Sequence, residues 1–277
     1  DSIIGIAATS SIKKYNFNSD YKGEINLQNS NNKYYAMPKN FHIVKDSILI
    51  AYIPFEGNPG TKKFYKEKQK IILTKNINTG KENTFFDFPT DGELIFDNQY
   101  FNNIYTYSTS FFNNYYSLIN SNGKYIYKID AIKGEVVEKN QINFKDYAPL
   151  KLDINKRVTV DEDTMNLYRN SSVWDLFESE KFYYVLYNIG YQKDFLIKYK
   201  KEHKDFPFRD NPKINFSFAR VHKDNLEYDL LDLKNFNGLP VSVTKDDKII
   251  IQKFPTEDSD FQGYTILYKC QVTDNEI

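Results

Sequence analysis

The residues best able to do acid, base or metal chemistry are few. Three histidines, His42, His203 and His222, are the chain's only imidazoles, and they stand far apart in sequence. Imidazole supplies most general bases and many metal sites near neutral pH. None of the three has a second ligand at the spacing a transition ion requires. His42 and His222 fall in segments that read as strands, where an ordinary structural role is expected. His203 lies in Lys200-Lys201-Glu202-His203-Lys204-Asp205, which reads as a solvated charge cluster. The single cysteine, Cys270, follows the apolar run Thr265-Ile266-Leu267-Tyr268 and is expected as a buried strand thiol. One cysteine can build neither an intrachain disulfide nor a thiolate cluster. The acidic run Asp161-Glu162-Asp163 lacks the alternating ligands and central glycine of a calcium loop. No Gly-x-Ser-x-Gly elbow, phosphate-binding glycine loop or dinucleotide fingerprint occurs. No catalytic residue, metal site or cofactor is therefore assigned from sequence. Paired carboxylates stay open as an alternative, because their pairing is spatial.

The elements that would position these residues read as strands. Aromatic residues make up 17% of the chain, with 23 tyrosines and 22 phenylalanines against one tryptophan, a usage that suits pleated, half-buried surfaces. Lysine plus arginine total 37 and aspartate plus glutamate total 37, so no net field steers the protein to nucleic acid or an anionic membrane. Arginine is confined to Arg157, Arg169, Arg209 and Arg220, while lysine and asparagine abound, which points to an AT-rich bacterial genome. No apolar run approaches the roughly 18 residues of a membrane span. The N-terminal Asp1-Ser2-Ile3-Ile4-Gly5 lacks a basic region followed by a long apolar one, and the chain is read as trimmed of its leader.

A strand, a polar turn and a return strand recur along the chain. Ile12 to Phe17 turns at Gly23 into Glu24 to Leu27, and Ile71-Ile72-Leu73 turns through Asn76 to Lys81 into Thr84-Phe85-Phe86. Tyr125 to Asp130 turns at Gly134 into Val136-Val137, and Phe216 to His222 turns at Asp224-Asn225 without a glycine. A fifth copy runs from Tyr264 to Val272 and lacks its return strand. Glycine, asparagine and aspartate mark these turns because hairpin connections need positive φ. A second hairpin precedes three copies: Phe41 to Val44 with Ser47 to Tyr52, Val173 to Leu176 with Phe182 to Tyr187, and Val241 to Val243 with Ile249 to Ile251. Paired hairpins in units of about 50 residues are what a propeller blade requires. The expected fold is all-β: a single β-propeller domain over residues 1–277, of four-stranded antiparallel blades. Blades number six if the long interval between Ile129 and Val221 conceals a further unit, and five if it does not. Ile3 to Ala8 reads as an orphan strand, so the N-terminal segment is expected to complete the last blade and close the ring, removing two exposed edges.

The turns Asn76 to Lys81 and Asp130 to Glu135 resemble the outer hairpins of quinoprotein-like and NHL-like propellers. Residues Asn170 to Tyr187, with the charged insertion and apolar hairpin after them, resemble an uncharacterised six-bladed propeller-like family of Bacteroides-type bacteria. That resemblance implies an exported protein, periplasmic or at the cell surface, with a lipid anchor possible in the precursor and no assigned activity.

In such a ring the connections between the second and third strands of each blade share one face. Here they are long, at residues 54–69, 189–212 and 255–263. Long loops on a rigid scaffold carry function disproportionately. The aromatic and basic residues Phe55, Tyr65, Tyr191, Phe206, Phe208, Arg209 and Phe261 are the candidate binding residues, with packing over the blades as the competing role. Within the longest insertion, Phe195, Leu196 and Tyr199 suit one face of a helix, and Phe195, Ile197 and Tyr199 also suit a strand. The expectation is a non-enzymatic exported propeller that holds a protein, peptide or glycan on this face. The alternative is a carbohydrate-active propeller, a glycoside hydrolase or lyase, with paired carboxylates near the central channel.

Overall fold

The computed structural model describes residues 4–8, 11–16, 18, 20–26, 34–44, 47–54, 70–87, 95–96, 99–101, 107–153, 160–204, 206, 212–233, 238–253 and 266–272. These residues form six sheets of three or four antiparallel strands. The chain divides into two compact units.

The first unit comprises Asp1–Asn122, Tyr127–Lys139 and Lys151–Val158. It opens with a sheet of β1 (Ile4–Ala8), β2 (Ser11–Tyr15) and β3 (Tyr21–Asn26) in that order. Next comes the sheet of β4 (Tyr34–Val44), β5 (Ser47–Pro54), β6 (Lys70–Asn76) and β7 (Glu82–Asp87). After β8 (Ile95–Phe96) and β9 (Gln99–Phe101) follows a sheet of β10 (Tyr107–Phe112), β11 (Tyr115–Asn120), β12 (Tyr125–Asp130) and β13 (Val136–Gln141). This last sheet belongs to the first unit for most of its length. A small sheet joins β8 and β9 to β14 (Lys151–Asp153).

The second unit comprises Gly123–Ile126, Asn140–Leu150 and Thr159–Ile277. It contains α1 (Val160–Arg169), β15 (Ser172–Glu178), β16 (Phe182–Asn188), α2 (Lys193–Glu202), β17 (Phe216–His222) and β18 (Tyr228–Leu231), the four strands forming one sheet. A three-stranded sheet of β19 (Gly238–Val243), β20 (Lys248–Lys253) and β21 (Leu267–Gln271) follows. The first six residues of β16, Phe182-Tyr-Tyr-Val-Leu-Tyr187, are aromatic or aliphatic at every position, and Tyr183 to Tyr187 are all buried. Such a run belongs to a central strand covered on both faces. Alternation sends Tyr184 and Leu186 to one face, where they pack with Phe218, Ile249 and Ile251. Tyr187 points the other way and stacks on Phe144 at 4.6 Å.

Two outer hairpins share one turn, whereas the first closes from Asn16 N–H to Asp20 O at 3.1 Å and carries Gly23 inside β3, paired with Lys14, rather than at the expected turn. In the β6 to β7 turn the Asn76 side-chain oxygen accepts from the Asn78 and Thr79 amides at 3.0 and 2.8 Å, and Gly80 N–H donates to Asn76 O at 2.9 Å with Gly80 at φ 70°. In the β12 to β13 turn Asp130 accepts from the Ile132 and Lys133 amides at 2.9 and 3.0 Å, and Gly134 N–H donates to Asp130 O at 2.8 Å with Gly134 at φ 73°. These amide donors hold the Asp130 carboxyl below the usual carboxylate range. The β17 to β18 turn keeps the same bond, Leu226 N–H to His222 O at 2.9 Å, but puts a leucine at φ 62° where the others have glycine. A left-handed conformation costs an L-residue about 1–2 kcal/mol. Leu226→Gly is therefore expected to raise stability by about 0.5–1 kcal/mol after the entropy of glycine is charged against it. A lowered denaturant midpoint in that variant would contradict the strain.

Three expectations are corrected. The strand Ile4–Ala8 is not an orphan: it pairs with β2 from Ile4↔Tyr15 to Ala8↔Ser11, because the two runs are near enough in sequence to close a hairpin. Among the described residues the terminal strands occupy two separate three-stranded sheets, β1 to β3 and β19 to β21. Besides strands of the sheets on either side, the interval from Ile129 to Val221 holds two helices and one strand of a further unit, β14, which joins β8 and β9 from before the interval, rather than a whole concealed unit among its described residues. The third outer hairpin also has an inner partner that composition alone passes over, β10 and β11, joined by Asn113-Asn114 at φ 49° and 67°.

Candidate functional site

Within the 189–212 insertion the polypeptide is helical where the periodicity left helix and strand open. Leu196 is fully buried while Ile197 is 38% exposed, which settles the choice for this segment. The helix starts after Gln192, whose carbonyl accepts from Leu196 N–H at 3.3 Å. Asp194 stands in the first turn and Lys200 and Lys201 in the last, matching the helix dipole at both ends. His203 closes it, with its amide 2.9 Å from Tyr199 O.

Spacing by four residues places side chains in one file along a helix, and here that file is aromatic. Tyr191 stacks on Phe195 at 4.7 Å and 16°, Phe195 meets Tyr199 at 5.8 Å, and Tyr199 stacks on His203 at 3.8 Å and 9°. Beneath the file, Phe206 packs edge-on against Tyr199 at 5.7 Å and lies 5.4 Å from Tyr168 of α1. The phenol of Tyr191 donates to Lys213 O, and its amide donates to Tyr168 O at 2.8 Å. Burial raises the pKa values of Tyr168 and Tyr191, and the neighbouring Tyr199 phenol raises both further. These phenols stay protonated donors at neutral pH. Phe195 remains 43% exposed, the outward member of the file.

A polar knot fixes where the helix begins. The Asn188 side-chain oxygen accepts from Ser172 N–H at 3.1 Å, Ser172 Oγ at 2.6 Å and Trp174 Nε1 at 2.9 Å, and its amide donates to Asn170 O at 2.9 Å. Trp174 is the extra residue of a bulge between Val173 and Asp175, and this bond ties its indole to Asn188 of the neighbouring strand. Trp174-Asp175 thus serves the sheet. Ser171 Oγ accepts from the amides of Ala148 at 3.1 Å and Gly190 at 3.0 Å. Gly190 passes so close to α1 that a β-carbon there would lie 2.0 Å from Arg169 O.

Of the seven candidate binding residues, two are described. Tyr191 is half-buried at the start of the aromatic file. Phe206 is 5% exposed, so its ring supports the helix and does not face solvent, because Tyr168 and Tyr199 enclose it. Phe55, Tyr65, Phe208, Arg209 and Phe261 lie outside the described residues, as do most of the first and all of the third long connection. Of the cluster around His203, the side chains of Lys200, Lys201, Glu202 and Lys204 are exposed as expected, while the His203 ring is half-buried on Tyr199. His42, in β4, lies 3.2 Å from Thr109 Oγ1 and edge-on to Tyr116 at 5.3 Å, and burial pushes its pKa down to about 4. His222 lies 3.4 Å from Asp229 beside the Arg220 pair at 2.9 Å, and the hydrogen bond from the Arg220 guanidinium is the main cause that holds the Asp229 carboxyl below its usual range. Cys270 is only partly buried, against the cluster around Ile249. Asp161, Glu162 and Asp163 stand in the first turn of α1 rather than in a loop. Sequence reading passed over Tyr199 as a site residue, although its place in the four-residue spacing of Tyr191, Phe195 and Tyr199 was the available signal.

The class these observations define is an all-β chain of antiparallel sheets with a helical insertion that displays stacked aromatic rings. No protein-family model and no curated relative matches the sequence. Among solved structures, a member of the DUF4221 family from Bacteroides vulgatus ATCC 8482 matches with a TM-score of 0.66, at 14% identity, over 97% of this chain and 74% of its own. A luciferin-regenerating enzyme matches with a TM-score of 0.41, at 10% identity, over 94% of this chain and 68% of its own. The first likeness is one of fold. No described helix is long and apolar enough to cross a membrane.

Proposed function

We propose that the chain is a non-enzymatic, exported binding protein of propeller type, and that the insertion carrying α2 holds its ligand, a protein, peptide or glycan. The observation that carries the reading is the file Tyr191, Phe195, Tyr199 and His203, anchored from below by Leu196 and Phe206 and open at Phe195. Stacked rings braced in this way offer large, rigid contact area at low entropic cost. Phe195, 43% exposed, is the ring of the file most open to solvent.

The test is a binding screen of purified protein against soluble oligosaccharides and peptides, repeated with Phe195→Ala. A ligand is expected whose affinity falls about tenfold or more in the variant, the size of one well-packed aromatic contact. Thermal stability is expected to change little, since the ring is a surface group. Absence of any ligand, or equal affinity in the two proteins, would contradict the proposal.

A further inference from the structure

Register makes the third strands of the sheets equivalent. Ser47, Phe182 and Lys248, the first residues of β5, β16 and β20, pair with Asn76, His222 and Gln271, the last residues of β6, β17 and β21. β12 ends likewise at Asp130. Four places before these ends stand Ile72, Ile126 and Phe218, which are 0%, 0% and 1% exposed, and Leu267, which is 57% exposed. One place further on, Leu73, Tyr127 and Ala219 are buried and Tyr268 is 39% exposed. The difference tracks the fourth strand: β7, β13 and β18 flank β6, β12 and β17, whereas β21 has β20 on one side and no strand on the other among the described residues. Each fourth strand also brings an acid to a cation of the third. Two places before the strand ends, Lys128 of β12 reaches Glu138 of β13 at 2.7 Å and Arg220 of β17 reaches Asp229 of β18 at 2.9 Å. In β6, Lys75 reaches Glu82 of β7 at 3.0 Å. The residue of β21 at the place of Lys128 and Arg220 is Lys269, which is exposed and has no acidic partner among the described residues.

We propose that the outer edge of β21 receives an extended segment of a partner protein as a fourth, antiparallel strand, with an acidic residue opposite Lys269 and a large apolar residue two places on, over Leu267. The β17 and β18 pair supplies the pattern, since Arg220 faces Asp229 and Phe218 faces Leu231. Main-chain bonds to an open edge give affinity in such additions, and side chains at alternate positions give choice. A lysine also blunts an edge against indiscriminate pairing, but Lys128 and Arg220 show that a cation at this place takes an acid from the next strand. A second copy joined through its own β21 about Lys269 would set like charges opposite each other, which is unfavourable.

The experiment titrates dye-labelled, capped peptides into the full chain and follows fluorescence anisotropy. The first probe carries the β18 sequence Tyr228–Leu231 between two threonines. A second has lysine in place of its aspartate, and two more are N-methylated at alternate residues, one for each edge of the strand. Saturable binding of the first probe is expected, with the lysine peptide about tenfold weaker or more. One N-methylated peptide is expected to bind about tenfold more weakly and the other like its parent, because successive amides of a strand point to opposite edges. Lys269→Glu is expected to reverse the aspartate-over-lysine order, and Leu267→Asn to weaken the first probe about tenfold while circular dichroism stays unchanged. Phe195→Ala is expected to leave this binding intact, which separates the β21 edge from the α2 surface. Four results would overturn the proposal: no saturable binding of the first probe, equal weakening by both methylation patterns, an unchanged peptide order in Lys269→Glu, or loss of binding in Phe195→Ala.

Discussion

Replacing Lys223 with methionine is expected to destabilise the protein by about 3–5 kcal/mol, the cost of leaving one buried charge without its partner. Lys223 Nζ lies 2.7 Å from Glu178 Oε1 and donates to Ser179 O at 2.7 Å, over the Tyr183 ring at 5.0 Å. The Glu178 side chain is 1% exposed and that of Lys223 18%, so neither can recover full hydration while the hairpin is folded. Methionine keeps the aliphatic stem and removes only the ammonium. The carboxylate then faces the interior without that cation, and the loss is expected to shrink as falling pH protonates it. Glu178→Leu combined with Lys223→Met is expected to lose less than Lys223→Met alone, because the stranded charge goes with it. Urea denaturation of the single and double variants measures both. A single variant within about 0.5 kcal/mol of the parent, the usual effect of a surface change, would show that the pair contributes nothing.

Gly190→Ala is expected to cost about 4 kcal/mol or more, in the range reserved for a named steric fault. The added methyl group would sit 2.0 Å from Arg169 O and 3.0 Å from the Asn170 carbonyl carbon. Both are backbone atoms, so no side-chain rotation relieves the overlap. Either α1 moves away, breaking the Tyr191 N–H to Tyr168 O bond at 2.8 Å, or Gly190 moves and loses Ser171 Oγ at 3.0 Å. Each route displaces the start of α2, so binding through the aromatic file is expected to fall with stability. An alanine variant that melts with the parent would mean that the two chain segments do not approach so closely.

These positions show which parts of the molecule sequence discloses. The turns at Asn76 to Lys81 and Asp130 to Glu135 were legible, because a side-chain acceptor, three intervening residues and a glycine are enough to determine a local turn. Asn113-Asn114 carried an equally local signal, two residues suited to positive φ between aromatic arms, and marks β10 and β11. The strand pattern of β16 was legible from its unbroken apolar run. Glu178 with Lys223, and Asn188 with Ser172 and Asn170, were not, since pairing across strands depends on register and register is set by the whole sheet. The helix α2 stayed ambiguous because Phe195, Ile197 and Tyr199 alternate while Phe195 and Tyr199 also stand a helical turn apart. Burial of Leu196 breaks the tie, and burial is a property of the fold. Phe206 stayed open between contact and packing for the same reason: an aromatic ring in a charged insertion looks exposed until Tyr168, from a helix the sequence did not announce, covers it.

The claim that α2 presents the working surface is tested most directly by amide-hydrogen exchange, with and without the tightest ligand from the oligosaccharide and peptide screen. Exchange is expected to slow across residues 191–203 and to change little in β4 to β7 and β10 to β13, and Phe195→Ala is expected to abolish the slowing. Protection confined to other segments while residues 191–203 exchange as before would place the binding surface elsewhere and contradict the account.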